Sequence, residues 1–360
     1  MSRTRPTRTG AARPRPARAL AALLASALAV AACAPAAAPP ATTPGTTVAP
    51  SPTPTQTPPP TRLVVGLGYI PSVQFAPFYL ADQRGYYRDA GLEVELQNKI
   101  DPELVTLVAQ GAIDIGSADG TSVIPAVSQG IPVRYVATIY GTNPSIVFAK
   151  ASSGIAGAAD LAGRSIGIPG LYGSSWVMLQ ALLASAGLTP DDVSIEPYPD
   201  FGQGVAVAEG AVDAATGFAN NEPVQLQLAG EEVVVLRVPA ETALPGPGLV
   251  ASVETIAAKG EALRAFVAAT LRAMEEIAAD PAIGLAAATA VVPELAADPA
   301  TQRAILEATI ATWASPAAGV PFGAIDRAGW ASSVEFMAGL GLVARPVTVD
   351  ELVTEELLPR

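Results

Sequence analysis

The stretch LVVGLGYIPSVQFAPFYLADQRGYYRDAGLEVEL, at residues 63–96, decides the fold of this chain. Leu63–Leu67 is a short Val-rich run that ends beside glycine, which predicts a buried strand. Ser72 is a suitable N-cap for a helix that continues to Gly91. Leu92–Leu96 alternates apolar and acidic residues, which is the period of a half-exposed strand. The stretch is therefore a βαβ unit, and it predicts a parallel sheet with right-handed crossovers.

Aromatic side chains are concentrated in this unit, although they make up only 5% of the sequence. Six fall within 19 residues: Tyr69, Phe75, Phe78, Tyr79, Tyr86 and Tyr87. Ligands of open α/β sheets bind at the carboxyl ends of strands. Tyr69 and Phe75 lie in the turn that follows the first strand, so they are candidates for ligand contact as well as for packing. We expect Phe78, Tyr86 and Tyr87 to pack the helix against the sheet.

The amino-acid sequence of this unit also resembles the sequences of a known family. The unit is similar to the start of an NMT1/THI5-like substrate-binding protein of an ABC importer, within the SsuA/THI5 superfamily. The similarity lies in YIPSVQFAPFYLA at residues 69–81, in Gly85-Tyr86-Tyr87 and in GLEVEL at residues 91–96. The likeness extends to at least Lys259. It is greater to riboflavin-binding and thiamine-pyrimidine-binding members than to sulfonate and taurine binders.

The resemblance implies an α/β fold like that of type II periplasmic binding proteins, with two lobes, a ligand cleft, two hinge crossovers and a helical C-terminal region. It also implies a transmembrane permease and its ATP-binding subunit as partners. We expect a monomer with no cofactor, because the bound heterocycle is cargo.

Composition excludes several classes of protein. The 360 residues contain no histidine and one cysteine, so neither a Ser-His-Asp triad nor a Cys-His pair is available. The net charge is −12 and lysine occurs three times, which is a poor composition for binding nucleic acid. We expect no metal site and no catalytic activity.

The N-terminus predicts export and lipid anchoring. Six arginines and no acidic residue precede Ala19–Ala32, an apolar segment of signal-peptide length. Small residues then lead to Cys33, as at a bacterial lipoprotein cleavage site. We therefore expect residues 1–32 to be a signal peptide and Cys33 to carry the lipid (palmitate among its acyl chains), on the extracytoplasmic face of the cell membrane. An ordinary secretory peptide is the alternative.

The rest of the chain divides into a tether and two lobes. Residues 33–61 are rich in Pro, Thr and Ala and form an extended tether. Residues 62–150 and 245–360 are predicted to form the first lobe, and residues 151–244 the second. Pro239–Leu249 suits a hinge segment, and the region from Glu261 onward is helical and Ala-rich.

Polar turns at strand ends supply the candidate ligand-binding residues. The first lobe offers Tyr69, Gln74, Phe75, Asp119, Thr121 and Tyr140. The second offers Tyr172, Gly173, Ser174, Ser175, Trp176, Asn220, Asn221 and Glu222. Rings stack on a flat heterocycle while amides and carboxylates bind its edge. Thr121, Ser174 and Ser175 are equally suitable as helix caps.

The same turns favour one ligand among several. Gly173-Ser174-Ser175 at a helix start suits an anion, but no arginine lies in these turns. A neutral aromatic ligand therefore fits better, and five candidate rings favour riboflavin over a thiamine pyrimidine precursor (formylaminopyrimidine or hydroxymethylpyrimidine). An aliphatic sulfonate or taurine is a weaker alternative.

Other classes of function have weaker support in the sequence. Gly66-Leu67-Gly68 is a fragment of a dinucleotide-binding motif, but its third glycine is missing. A carboxylate-only hydrolase would use Asp114, Asp119 or Glu222, although nothing selects a pair. The related yeast-type pyrimidine synthases use histidine chemistry that this chain lacks. A lipoprotein acting as a sensor or scaffold would need no closing cleft.

Overall fold

The computed structural model describes residues 59–100, 103–239, 242 and 244–359. The predicted signal peptide, Cys33 and all of the tether before Pro59 lie outside the described residues. Thr61, assigned to the tether, is the first residue of a strand. The described strands are β1 (Thr61–Leu67), β2 (Leu92–Asn98), β3 (Ile115–Asp119), β4 (Val133–Thr138), β5 (Ser145–Lys150), β6 (Ser165–Ile168), β7 (Ser194–Pro197), β8 (Ala214–Phe218), β9 (Val233–Leu236) and β10 (Pro247–Ser252).

Helices cover both sheets and form most of the C-terminal region. Among the helices that the structure describes, none combines the length and hydrophobicity needed to cross a membrane. They are α1 (Ala76–Gln83), α2 (Tyr86–Asp89), α3 (Glu103–Ala109), α4 (Gly120–Ser128), α5 (Gly173–Ser185), α6 (Gln203–Glu209), α7 (Glu222–Leu228), α8 (Val253–Ala279), α9 (Pro281–Val291), α10 (Pro299–Trp313), α11 (Arg327–Gly339) and α12 (Val349–Leu352).

The opening unit folds as predicted, with one interruption. Strand β1 is parallel to β2 and to β3, and its residue pairs run from Thr61 opposite Leu92 to Leu67 opposite Asn98. The Ser72 side chain accepts a hydrogen bond from the Gln74 backbone N–H and so caps the first helical turn. The predicted single helix is broken into α1 and α2, because Gly85 adopts a left-handed conformation with φ of 75°.

The first sheet has the order β2-β1-β3-β10-β4. Strand β10 lies between β3 and β4 and is antiparallel to both. The interpretation of Pro239–Leu249 as a hinge segment is therefore wrong at its end, since Pro247 already begins a buried strand. Proline and glycine are tolerated there because Pro247 is the first residue of the strand.

The second sheet has the order β7-β6-β8-β5-β9, and it corrects the predicted lobe boundary at Lys150. Strand β5 pairs with β8 and β9, both antiparallel, so it belongs to the second lobe rather than the first. Ser145–Ala149 is buried. Such a continuous apolar strand fits the centre of either sheet, which is why periodicity did not reveal its partners.

The C-terminal helices mostly complete the first lobe. Helices α8 and α9 pack on α1, and α12 packs against α4 and β4, whereas α10 also contacts α7 of the second lobe. Of the predicted packing residues, Phe78 and Tyr87 are buried and Tyr86 is partly buried; Trp313 and Trp330 are buried as well. The last helix that the structure describes, α12, ends at Leu352.

The Gly-x-Gly of the first strand is explained by packing. A Cβ on Gly66 would lie 2.2 Å from Leu104 Cδ1, and one on Gly68 would lie 2.3 Å from the Ser117 carbonyl oxygen. Both glycines are needed for the close approach of α3 and β3 to the end of β1, so the dinucleotide hypothesis is unnecessary.

Candidate functional site

A cavity lies between the two lobes, with about 880 Å³ of space between side chains, including the part open to solvent. Its walls come from the turns after β1, β4, β6 and β7 and from the ends of β3 and β8, as expected for ligand sites of open α/β sheets. The described lining residues are Gly68, Tyr69, Gln74, Phe75, Ile100, Ser117, Ala118, Asp119, Tyr140, Pro169, Tyr172, Gly173, Ser174, Ser175, Phe201, Gln203, Gly217, Phe218, Asn221, Glu222 and Pro247.

Most of the residues predicted from the sequence line this cavity. From the first lobe come Tyr69, Gln74, Phe75, Asp119 and Tyr140, and from the second come Tyr172, Gly173, Ser174, Ser175, Asn221 and Glu222. Their convergence from distant parts of the chain supports the strand-end argument. Contact with a ligand stays a prediction.

Three predicted residues lie elsewhere. Asp119 occupies the N-cap of α4, so Thr121 is inside the helix, where its side chain is buried. Trp176 packs against the core of the second lobe, because it lies on the face of α5 that covers the sheet. Asn220 is buried beside the lining, where it bonds to protein groups. These three are corrections to the predicted lining.

Sequence reasoning missed the segment after β7. The structure places Phe201 and Gln203 in the cavity wall, together with Phe218 from the end of β8. The strand-end rule applied to β7 would have pointed to Pro199–Gln203. Gln203, the first residue of α6, had no motif of its own.

Phe201 joins the two lobes through an aromatic contact. Its ring lies edge-on to the Tyr69 ring, with centroids 4.8 Å apart and an interplanar angle of 82°. Phe201 has φ of 62° and is the described non-glycine residue with positive φ. This left-handed conformation costs free energy, and such residues cluster at functional sites. The backbone strain here directs an aromatic ring into the cleft.

Glu222 is a buried acid at the start of α7. One carboxylate oxygen accepts a hydrogen bond from the Phe218 backbone N–H at 2.9 Å, and the other accepts from Gln203 Nε2 at 3.3 Å. Burial raises the pKa of the Glu222 carboxyl to about 7, although the backbone hydrogen bonds oppose this. Near neutral pH, the group therefore exchanges between an acceptor and a donor of hydrogen bonds.

The charge of Glu222 also affects Tyr69 across the cavity. Burial chiefly, and then the Glu222 carboxylate, raise the pKa of the Tyr69 hydroxyl, while a hydrogen bond with the Asn221 side chain opposes the shift. Tyr69 is thus a neutral phenol at physiological pH. Its ring is available for stacking and its hydroxyl is held by the second lobe.

Further hydrogen bonds cross the cleft. Asp119 Oδ2 accepts from the Ser174 backbone N–H at 3.2 Å. Gln74 Oε1 accepts from Asn220 Nδ2 at 2.9 Å and from the Tyr140 hydroxyl at 3.3 Å. Asn220 Nδ2 also donates to Thr309 Oγ1 at 2.8 Å. These contacts link the first lobe and α10 to the second lobe.

The chemistry of the cavity suits an uncharged aromatic molecule. Six aromatic side chains line it: Tyr69, Phe75, Tyr140, Tyr172, Phe201 and Phe218. None of the described lining residues is lysine or arginine, and two are acids. A negatively charged ligand would therefore meet carboxylates without a compensating cation.

Two α/β lobes that enclose a cavity at their strand ends define the fold of a periplasmic-type solute-binding protein. The alkanesulfonate-binding protein SsuA from Xanthomonas axonopodis pv. citri, solved with bound MOPS, has this fold, with a TM-score of 0.66 and 20% identity over 82% of this chain and 99% of that one. The chain belongs to the NMT1/THI5-like family, whose model matches residues 72–283. The predicted family and fold are thus confirmed.

The names of the similar proteins refer to different ligands and activities. The riboflavin-binding protein RibY of Chloroflexus aurantiacus is 34% identical over 303 residues, 83% of this chain and 86% of its own. The formylaminopyrimidine-binding protein of Halalkalibacterium halodurans is 27% identical, over 60% of this chain and 66% of its own. The relatives also include pyrimidine phosphate synthases; that of Legionella pneumophila is 26% identical over 49% of this chain and 56% of its own.

Proposed function

We propose that this protein is the extracytoplasmic solute-binding lipoprotein of an ABC importer and that its cargo is riboflavin. The observation that carries the proposal is the aromatic cavity between the lobes. The monomer captures the vitamin, closes on it by hinge motion and delivers it to a transmembrane permease that is driven by an ATP-binding subunit. The ligand is cargo, and the protein carries no cofactor and catalyses no reaction.

The aromatic lining supports a large flat ligand. Rings from both lobes, such as Tyr69 and Phe201, line the cavity and would contact an isoalloxazine ring, and each aromatic pair would add about 0.5–1.5 kcal/mol beyond burial of area. The ribityl hydroxyls would need polar partners, and the lining residues Asp119, Ser174 and Ser175 offer them. The 34% identity to RibY adds independent support.

A thiamine pyrimidine precursor is the second candidate. Glu222 favours it, because a carboxyl group with a pKa of about 7 is suited to hydrogen bonding with an aminopyrimidine edge. Six aromatic rings in the lining are more than one pyrimidine needs for stacking, so riboflavin is preferred. A sulfonate is disfavoured by the two acids.

Fluorescence titration of the full-length chain in detergent tests the proposal, since a flavin stacked on tyrosine loses its emission. We expect saturable quenching with a Kd of about 1 μM or below. Formylaminopyrimidine and MOPS are the competitors, and neither should displace riboflavin at tenfold excess. If riboflavin causes no quenching and formylaminopyrimidine raises the melting temperature of the protein, the cargo is the thiamine pyrimidine precursor instead. Recovery of chemically changed ligand would indicate an enzyme.

Anchoring is tested separately. We propose that Cys33 is lipidated after removal of residues 1–32 and that the tether then spaces the lobes from the membrane. Metabolic labelling with palmitate should mark the native chain and not Cys33→Ser, which should be found outside the membrane fraction. Equal labelling of both chains would contradict the lipoprotein proposal.

A further inference from the structure

Gln203 presents a buried hydrogen-bond acceptor that the protein leaves without a partner. Its side chain lines the cavity, the residue is 1% exposed, and Oε1 has no hydrogen-bond partner among the described residues. The structure describes other buried side-chain atoms without a hydrogen-bond partner, but among them only Gln203 Oε1 belongs to a residue that lines the cavity. A buried acceptor without a partner is costly, so a ligand that supplies a donor gains affinity there.

The orientation of the Gln203 amide is fixed by its nitrogen. Nε2 donates to Glu222 Oε1 at 3.3 Å and to the Thr216 carbonyl oxygen at 3.4 Å. Turning the amide by 180° would place Oε1 against the Thr216 carbonyl oxygen, which can only accept and would repel it. Gly167 of β6 packs closely on the Gln203 side chain, since a Cβ on Gly167 would lie only 3.1 Å from the Gln203 Cβ. The acceptor is therefore preorganised before the ligand arrives.

The position of Gln203 indicates which part of the ligand it meets. Phe201, two residues earlier, contacts Tyr69 in the cavity wall, and Glu222 is hydrogen-bonded to Gln203 itself. For a flavin whose ring lies against these aromatic side chains, the ring edge and not the hydroxylated chain would meet the Gln203–Glu222 pair. The edge of a flavin carries one N–H donor between two carbonyl acceptors.

We propose that Gln203 Oε1 accepts a hydrogen bond from the imide N–H of the cargo and thereby selects heterocycles that carry a ring N–H donor. This inference rests on the proposed function, because it takes riboflavin as the cargo. Specificity follows from the asymmetry of buried hydrogen bonds, since an analogue without the donor leaves the acceptor desolvated and unpaired.

The test combines a change in the ligand with a change in the protein. The ligands are riboflavin and 3-methylriboflavin, whose methyl group replaces the imide hydrogen. In the native full-length chain, methylation should weaken binding by about ten- to hundredfold. In Gln203→Ala, riboflavin should bind more weakly and methylation should change the Kd by less than about threefold, because the acceptor is gone.

Gln180→Ala is the matched control. Gln180 also has a buried unpartnered side-chain atom, its Nε2, but it lies in α5 and does not line the cavity. This variant should keep the full native penalty for methylation. If Gln203→Ala fails to fold, as judged by its melting curve, Gln203→Met keeps the volume and should behave in the same way.

The outcomes separate the two proposals. A methylation penalty that is as large in Gln203→Ala as in the native chain would overturn the assignment of Gln203 and leave riboflavin as the cargo. The absence of a penalty in the native chain would do the same. Failure of the native chain to bind riboflavin at all would overturn the assignment together with the proposed function.

Discussion

Asp119 of the first lobe accepts a hydrogen bond from the backbone N–H of Ser174 in the second lobe, with 3.2 Å between Oδ2 and N. Ser174 is the second residue of α5, so the carboxylate lies at the positive end of a helix of 13 residues. Burial raises the pKa of the Asp119 carboxyl, and the hydrogen bonds from Ser174 oppose that rise. The contact therefore stabilises an arrangement in which the two lobes are close together.

Asp119→Asn should weaken ligand binding by about two- to fivefold. The amide still accepts from Ser174 but lacks the charge that interacts with the helix, which is worth about 0.3–1 kcal/mol. Titration gives the affinity, and small-angle scattering of the loaded protein should show a more open average. Asp213→Asn is the control, because Asp213 accepts from Ser165 within the second lobe. An equal loss of affinity in that control would count against a role in lobe closure.

Phe201→Ala should reduce affinity for an aromatic ligand by about two- to tenfold, since it removes the ring that contacts Tyr69. Its stability loss should be small, because Phe201 is only partly buried. Phe322→Ala is the comparison, as the Phe322 ring contacts Trp313 away from the cavity. It should lower the melting temperature without altering affinity; the reverse pattern would contradict a ligand-facing role for Phe201.

Glu222 should make the free energy of unfolding depend on pH. Its pKa is raised from 4.5 to about 7 in the folded chain, so the folded state retains the proton more tightly than the unfolded state. Below pH 4.5 both states are protonated, and the stabilisation is complete. As the pH rises to 7, the free energy of unfolding should fall by about 2–3 kcal/mol from this group.

Urea unfolding of the native chain and of Glu222→Gln at pH 5 and pH 8 measures this contribution. The glutamine amide does not titrate, so the variant should show a smaller loss of stability between the two values than the native chain. Glu196→Gln, the same substitution at an exposed glutamate outside the cavity lining, is the control. Identical pH dependence of the native chain and Glu222→Gln would show that the carboxyl is ionised throughout.

Lys259→Met should lower the free energy of unfolding by about 1–3 kcal/mol. Lys259 Nζ lies 2.8 Å from Asp114 Oδ1, and Asp114 is 8% exposed, so the substitution leaves a mostly buried charge without its partner. Lys150→Met, at a lysine whose Nζ bonds to the Ala208 carbonyl at the surface, should change stability by less than about 0.5 kcal/mol. Urea denaturation compares the two, and equal effects would refute the importance of the ion pair.

Local pattern predicted most of the first lobe. The apolar run that became β1, the Ser72 cap and the alternating strand β2 were all visible in the sequence, because each depends on neighbours in the chain. Strands β5 and β10 were misplaced, since both are antiparallel and pair with strands far away in sequence. Their partners are chosen by tertiary packing, which periodicity does not encode.

The residues of the candidate site also divide into those that local sequence predicted and those that only tertiary packing decided. Tyr69, Asp119 and Glu222 were predicted because polar or aromatic residues directly after strands face the ligand side of the sheet. Phe201 was missed because a non-glycine residue with positive φ has no sequence signature. Trp176 was misjudged because a helix turns its successive side chains by about 100°, and only the packing of α5 decides which of them face the sheet.

The sequence by itself determined the class of elements, the family resemblance, the absence of histidine chemistry and the strand ends at which a ligand would lie. These properties follow from composition and from interactions between near neighbours. The tertiary structure alone decided that Asp119 meets Ser174, that Phe201 meets Tyr69 and that Gln203, in the cavity wall, keeps an unpaired acceptor. Each of these features depends on side chains that approach one another across the cleft or within a buried wall. There, desolvation and geometry set the free energy of the contact.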